Sequence, residues 1–235
     1  MKKIIPGILM ATAFFSAISV KAQTADEIVN KYIDALGGKD VISKVTSIYM
    51  EGTTQMMGAD NPTTITILDG KGYKSETDFN GQKIIQCYTD KSGWTVNPMG
   101  GGNAEPMPDE AYKAAKGQIN IGGPLYDYAA KGSTVTLLGK EAKTYKLKVV
   151  TKEKVESTFF IDAATYYVSK VVAQGNMGGQ PVEITLSFAD YKKTDIGFSV
   201  PFTTNIDLGQ FQLSTTYKKV EVNKTIDPAV FVMPK

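Results

Sequence analysis

The stretch PVEITLSFADYKKTDIGFSVPF, residues 181–202, decides the fold. Val182, Ile184, Leu186 and Phe188 alternate with Glu183, Thr185, Ser187 and Ala189. A two-residue period is that of a strand with one apolar face and one wetter face. The alternation sends the four large side chains to the concave or core side and residues 183–187 outward between them. Lys192-Lys193 leads into a turn at Asp195-Ile196-Gly197, and residues 198–202 resume an extended run. Pro201 has no N–H, which predicts a strand end, an edge or a bulge there.

The same unit recurs outward in both directions. Residues 63–68 (TTITIL), 73–79 and 83–89 read as strands, with Asn80-Gly81 as a two-residue hairpin turn between the last two. Ser47, Ile48 and Met50 open this meander, and Trp94-Thr95-Val96 closes it. A second block follows in residues 134–138, 145–149, 156–162, 166–174, 203–207 and 211–222. Between the blocks, residues 99–132 break the pattern with Gly100-Gly101-Gly102, Pro106 and Pro108. Pro108-Asp109-Glu110 predicts a short helix to Lys116, and residues 124–131 predict another, stopped by Gly132. This insertion reads as a lid or plug on the sheet.

Ahead of the strands, Thr24 and Glu27 have the spacing of a capping box. Ile28, Val29, Tyr32, Ile33 and Leu36 then recur at helical spacing until Gly37-Gly38. Residues 39–45 are compatible with a second short helix. The expected fold is therefore mainly β with α (α+β). It is a curved, unclosed antiparallel β-barrel of about eleven strands, covered by an N-terminal helix and short mid-chain helices. A flat sheet of that width is disfavoured, because strands twist and open edges aggregate.

The chain begins with a basic Met1-Lys2-Lys3, an apolar run over residues 4–20 and a small-residue junction at Val20-Lys21-Ala22. This is the pattern of a signal peptide cut after Ala22, leaving residues 23–235 as one domain exported to the periplasm of a Gram-negative envelope. No Cys follows the junction to carry a lipid, and no stable membrane anchor is expected. Removing Lys2, Lys3 and Lys21 from the 26 basic residues leaves 23 against 24 acidic ones. With no basic stripe, nucleic acid is not an expected partner.

There is no His and no Arg in the chain, and Cys87 is the single cysteine. A Ser-His-Asp or Cys-His arrangement cannot be built, nor a His-bearing or four-cysteine zinc site. The glycines at 100–102 lack the Lys-Ser/Thr of a P-loop. Cys87 alternates with Ile85 and reads as a small core residue; the competing reading is a nucleophile, which would want a nearby base. Asp109-Glu110 point in different directions on a helix and suit its N-terminal end, and Asp190 and Asp195 flank Lys192-Lys193 as solvated charge; a carboxylate-dependent hydrolase stays open because any two Asp or Glu can converge in space. No metal and no cofactor is expected.

Apolar and aromatic residues remain. Met50, Met56, Met57, Trp94, Met107, Tyr112, Leu125, Tyr126 and Tyr128 are the candidate ligand-binding residues. Several sit in or beside irregular segments, where flexible methionines suit a pocket that adapts to apolar ligands. Each is equally compatible with ordinary core packing.

The order of certain segments resembles the LolA/LolB-like superfamily of periplasmic lipoprotein carriers, and in particular the outer membrane lipoprotein-sorting relatives. These segments are residues 25–29 through Leu36-Gly37-Gly38, Ser92-Gly93-Trp94, Phe160-Ile161-Asp162 with residues 167–170, residues 191–202, and Val222-Asn223 through residues 231–234. The resemblance implies a helix-covered half-barrel whose apolar cavity shields lipid or lipoprotein acyl chains. It also implies a lid held by an arginine that donates to backbone carbonyls. This chain has no arginine, and a lysine lacks the planar fork, so the fold and the cavity carry over and the lid mechanism does not.

The first expectation is thus non-catalytic periplasmic binding of an apolar ligand, a lipid or lipoprotein acyl chain, in the half-barrel cavity of a monomer. It extends to lipoprotein sorting toward the outer membrane. The alternative is an envelope protein-interaction or sensor module that uses a strand edge and fills its own cavity. The enzyme reading comes last.

Overall fold

The computed structural model describes residues 23–177, 179–209 and 211–234; the expected signal peptide lies outside the described residues. Thirteen strands form one antiparallel sheet. They are β1 (Ser47–Met56), β2 (Ala59–Leu68), β3 (Gly72–Phe79), β4 (Gln82–Thr89), β5 (Gly93–Val96), β6 (Ala104–Pro106) and β7 (Thr134–Glu141). The rest are β8 (Thr144–Val150), β9 (Glu156–Asp162), β10 (Val168–Met177), β11 (Gln180–Lys193), β12 (Ser199–Asp207) and β13 (Gln212–Val222). The spatial order is β6-β5-β4-β3-β2-β1-β13-β12-β11-β10-β9-β8-β7, so every strand but one neighbours its successor and the two ends do not meet. The exception is β6, whose successor β7 lies at the opposite edge; the pairing of β1 with β13 brings the two halves of the chain side by side at the centre. This is the unclosed half-barrel that the alternation predicts.

The count exceeds the expected eleven partly because β6 lies inside the insertion and pairs with β5. Its three residues, Ala104, Glu105 and Pro106, are too short for a period to be read. A second correction concerns residues 124–131, which form consecutive turns and not a helix. Asp127 has a left-handed φ of 49°, and Gly122, Gly123 and Gly132 are left-handed around it. One helix-like bond survives, Lys131 N–H to Asp127 O at 3.1 Å.

Helix α1 (Ala25–Ala35) starts at the expected capping box: Thr24 Oγ1 accepts from Glu27 N and Glu27 Oε2 accepts from Thr24 N. Its buried Ile28, Val29 and Ile33 join Met50, Leu147, Val149, Phe159, Ile161 and Tyr217 in the main core. Helix α2 (Lys39–Ile42) adds Ile42, and α3 (Asp109–Ala115) opens the insertion's covering arm. Gly37 sits between α1 and α2 with φ 121°, and a Cβ there would stand 2.7 Å from Gly197 O. The chain can turn from α1 to α2 against the β11–β12 turn because this residue has no side chain.

Two features of the centre matter later. First, β13 carries an extra residue against β1. Glu51 pairs with Lys219 and Gly52 with Tyr217, leaving Lys218 as a bulge. Second, β12 and β13 pair over a short length, from Asp207↔Gln212 to Thr203↔Thr216. Beyond Thr203, β12 continues with β11 to Ser199, while β13 continues with β1 to Val222. The sheet forks there, and Pro201, without a donor, sits on the fork's β12 arm.

The bulge requires Gly52, because a Cβ would collide with Thr216 O and lie 2.8 Å from Tyr217 Cα. Gly52→Ala is expected to cost about 2–3 kcal/mol through overpacking against backbone. The thermal midpoint followed by circular dichroism should fall by roughly 5–10 °C for a chain of this length.

Candidate functional site

The concave face is read from strand alternation and cross-strand pairing together. Ile48 and Met50 on β1 pair with Ile67 and Ile65 on β2, and all four belong to the main core or pack on it. The same side continues through Tyr217 on β13, Leu186 and Phe188 on β11, Val171 on β10, Phe159 and Ile161 on β9, and Leu147 on β8. Over one half of this face lie α1, α2 and the residues Ile121 and Leu125 of the insertion. Leu125 is 1 % exposed and Ile121 6 %. The insertion thus plugs that half with its own side chains.

Backbone and charge ties hold the plug. Ile121 N donates to Asp69 Oδ1 at 2.7 Å and Gly70 N to Ile119 O at 2.9 Å. Lys131 Nζ donates to Gly123 O at 3.0 Å, and burial pushes this ammonium's pKa below its usual value. Tyr128 OH donates to Asp26 of α1, and Lys39 approaches Asp127 at 3.5 Å. A lysine on a carbonyl and a carboxylate on an amide thus tie the insertion down.

The other half of the face, toward the hairpin ends, is lined differently. Ile84, Ile184, Ile206 and Leu213 are half-buried and lie outside both apolar clusters, continuing from Leu186 and Phe188. Ile184 stands two residues before Leu186, and Ile206 pairs with both Leu186 and Leu213. Beside them the hydroxyls of Thr54, Thr63, Thr77 and Thr215 bond one another at 2.7–3.0 Å. These hydroxyls bond one another in a chain across four strands. The half-buried apolar side chains form a row, the trough, that continues through Leu186 and Phe188 toward the plugged half. Burial raises the phenol pKa of Tyr217 and pushes that of Tyr73 up to about 12, so these two stay un-ionised at neutral pH.

The candidate residues from sequence fall in four places. Met50 and Leu125 are buried in the main core, with Tyr126 and Tyr128 packed on it. Met56 and Met57 are at the β1–β2 tip, Met56 half-buried and Met57 exposed. Met107 and Tyr112 line a cleft of about 380 Å³ between α3 and the β4–β5 turn, among Lys91, Lys113, Lys116, Asp109 and Glu153. Tyr112 OH there donates to Thr89 O, and Lys116 pairs with Glu153 at 2.7 Å.

Trp94 is on the opposite face of the sheet. It pairs with Cys87, and both are buried in a second cluster under Phe231. Trp94 Nε1 donates to Phe231 O at 2.8 Å, and Gly72 leaves the room that the Phe231 ring occupies. Its side chain packs beneath the C-terminal segment, while its backbone pairs with Pro106 of β6 inside the insertion. The trough residues Ile84, Ile206 and Leu213 were missed in sequence. Their signal was present in the alternation of their strands, which places them on the side of Leu186, but nothing in a single strand tells which apolar positions are left uncovered.

Asp190 pairs with Lys192 at 2.9 Å, and Asp109 and Glu110 occupy the first turn of α3. Among the described residues no group of three Asp, Glu or Cys is placed to hold a metal, and no helix is long and apolar enough to cross a membrane.

No family model matches the sequence, and no curated protein matches it. Solved structures do. A domain assigned to outer membrane lipoprotein sorting from Vibrio parahaemolyticus matches at 14% identity and a TM-score of 0.56, covering 88% of this chain and 97% of that one. A LolA superfamily protein from Nitrosomonas europaea matches at 12% identity and 0.56, covering 90% and 98%. A DUF1329 family protein from Desulfovibrio piger matches at 13% and 0.58, covering 88% and 97%. At these identities the likeness is one of fold: the chain has the LolA-like fold along most of its length.

Two outcomes check this geometry. Asp69→Ala removes a charge-assisted bond that contributes about 1.5–3 kcal/mol, so hydrogen exchange over residues 119–131 should accelerate by about tenfold or more while α1 amides hold. Burial pushes the Cys87 thiol up to about 12. About one thiol in ten thousand is then ionised at pH 8, and a disulfide-exchange reagent should leave the native chain unlabelled while labelling the unfolded chain fully.

Proposed function

We propose that this chain is a non-catalytic periplasmic carrier that holds an acyl chain of a lipid or lipoprotein along its concave face. The observation that carries this reading is the trough: Ile84, Ile184, Ile206 and Leu213 stay half-buried at the end of an otherwise plugged apolar face. A methylene taken from water contributes about 0.8 kcal/mol, so about ten methylenes lying in the trough contribute about 8 kcal/mol gross. Deeper entry meets Leu125. Exchanging its side chain for about four methylenes is close to neutral by the same measure. The plug therefore opposes deep binding without forbidding it, which suits a carrier that must also release its load.

The signal-peptide pattern of residues 1–22 supports a periplasmic site, and the LolA-like fold, with one neighbour assigned to lipoprotein sorting, supports a lipid-bearing cargo. The missing His and Arg support binding without catalysis.

The test is lipid extraction from the purified exported chain, followed by titration with a fluorescent long-chain fatty acid. Co-purified lipid and displaceable micromolar binding are expected. Ile184→Glu with Leu213→Glu should weaken binding at least about tenfold, since each places a charge in an apolar trough. Leu125→Ala should strengthen it several-fold while costing about 2–4 kcal/mol of stability in the empty protein. Absence of both lipid and probe binding would sink the reading.

A further inference from the structure

Where β12 and β13 part, an open cleft of about 670 Å³ lies between them. Phe202, Val220 and Val222 line it, and Lys193, Lys218 and Lys224 stand at its rim. Its two walls differ in what their backbones offer. On β12, Ser199 N–H is taken by Leu36 O at 2.9 Å, and Pro201 has no N–H. On β13, Asn223 N donates to Ser47 O at 2.9 Å. By the alternation of an antiparallel ladder, Glu221 and Lys219 then bond β1, while Val220 and Val222 turn their N–H and C=O groups into the cleft. The pairing of β12 with β13 stops at Thr203↔Thr216, so no strand of the sheet lies opposite these four groups on the cleft side.

An unpaired strand edge is a template for another strand. Here it lies inside the sheet, so a sheet-to-sheet contact between whole proteins is hindered and a single extended segment fits. Charge narrows the occupant. Glu221 accepts from both Lys219 and Lys224, at 2.9 and 3.0 Å, and Lys192 is paired with Asp190. Lys193 and Lys218 are exposed and have no ion-pair partner among the described residues; Asp195 is the one acid at this rim outside an ion pair. The buried Thr194 Oγ1 on the same wall also lacks a partner.

We propose that the fork takes an extended peptide segment of alternating apolar and acidic residues, added as a strand along β13 at Val220 and Val222. Its apolar side chains lie against Phe202, and its carboxylates meet Lys193 and Lys218. This site is separate from the concave trough, and its occupation does not depend on lipid.

The test uses the exported chain with two fluorescein-labelled octapeptides, one alternating Val with Glu and one alternating Val with Lys. The acidic peptide is expected to bind with a dissociation constant in the micromolar range, to lose about tenfold in affinity between low and high salt, and to slow exchange of the Val220 and Val222 amides by about tenfold or more. Lys193→Glu with Lys218→Glu should weaken it by at least about tenfold with an unchanged thermal midpoint. Equal binding of the basic peptide, or binding without protection at Val220 and Val222, would overturn the proposal.

Discussion

The molecule is shaped by a shortage of cover. Thirteen antiparallel strands present one apolar face, and the chain supplies an eleven-residue helix, two shorter ones and an irregular insertion to hide it. Curling the sheet reduces the demand, because facing strands then cover one another. What is left is met by a few well-placed groups. Ile28, Val29 and Ile33 of α1 pack at the centre, Leu125 and Ile121 plug the side, and the hairpin end stays half-open. Stability and the capacity to bind an apolar ligand thus draw on the same surface.

The alternation of residues 181–202 was enough to find the half-barrel, since a period of two needs no tertiary context. The capping box at Thr24 was legible for the same reason: both its bonds are local. Failures came where the outcome hinged on distant partners. Residues 124–131 have helical composition, yet Asp127 turns left-handed so that Leu125 points in while Tyr128 reaches Asp26. The sequence groups Trp94 with the Met and Tyr residues as a candidate ligand-binding residue. Pairing with Cys87 puts it on the other face, beneath a tail some 137 residues away in sequence.

Pro201 shows how a local signal gains meaning in place. A missing N–H predicted an end, an edge or a bulge, and it stands beside a division in the sheet. With Ser199 bonded to α1, the β12 arm is left without a donor there, and β13 is turned to β1 by the bulge at Lys218. The sheet can fork because one arm's backbone is already satisfied and the other is propped by its neighbour.

The docking of Phe231 over Trp94 also has an optical side. Trp94 is the single tryptophan, 3 % exposed, and donates to a carbonyl of the tail. Intrinsic emission therefore reports the C-terminal clamp on the convex face. A ligand sliding into the concave trough leaves that fluorophore's surroundings in place, so a silent emission spectrum says that the clamp is shut and says nothing about whether the trough is loaded.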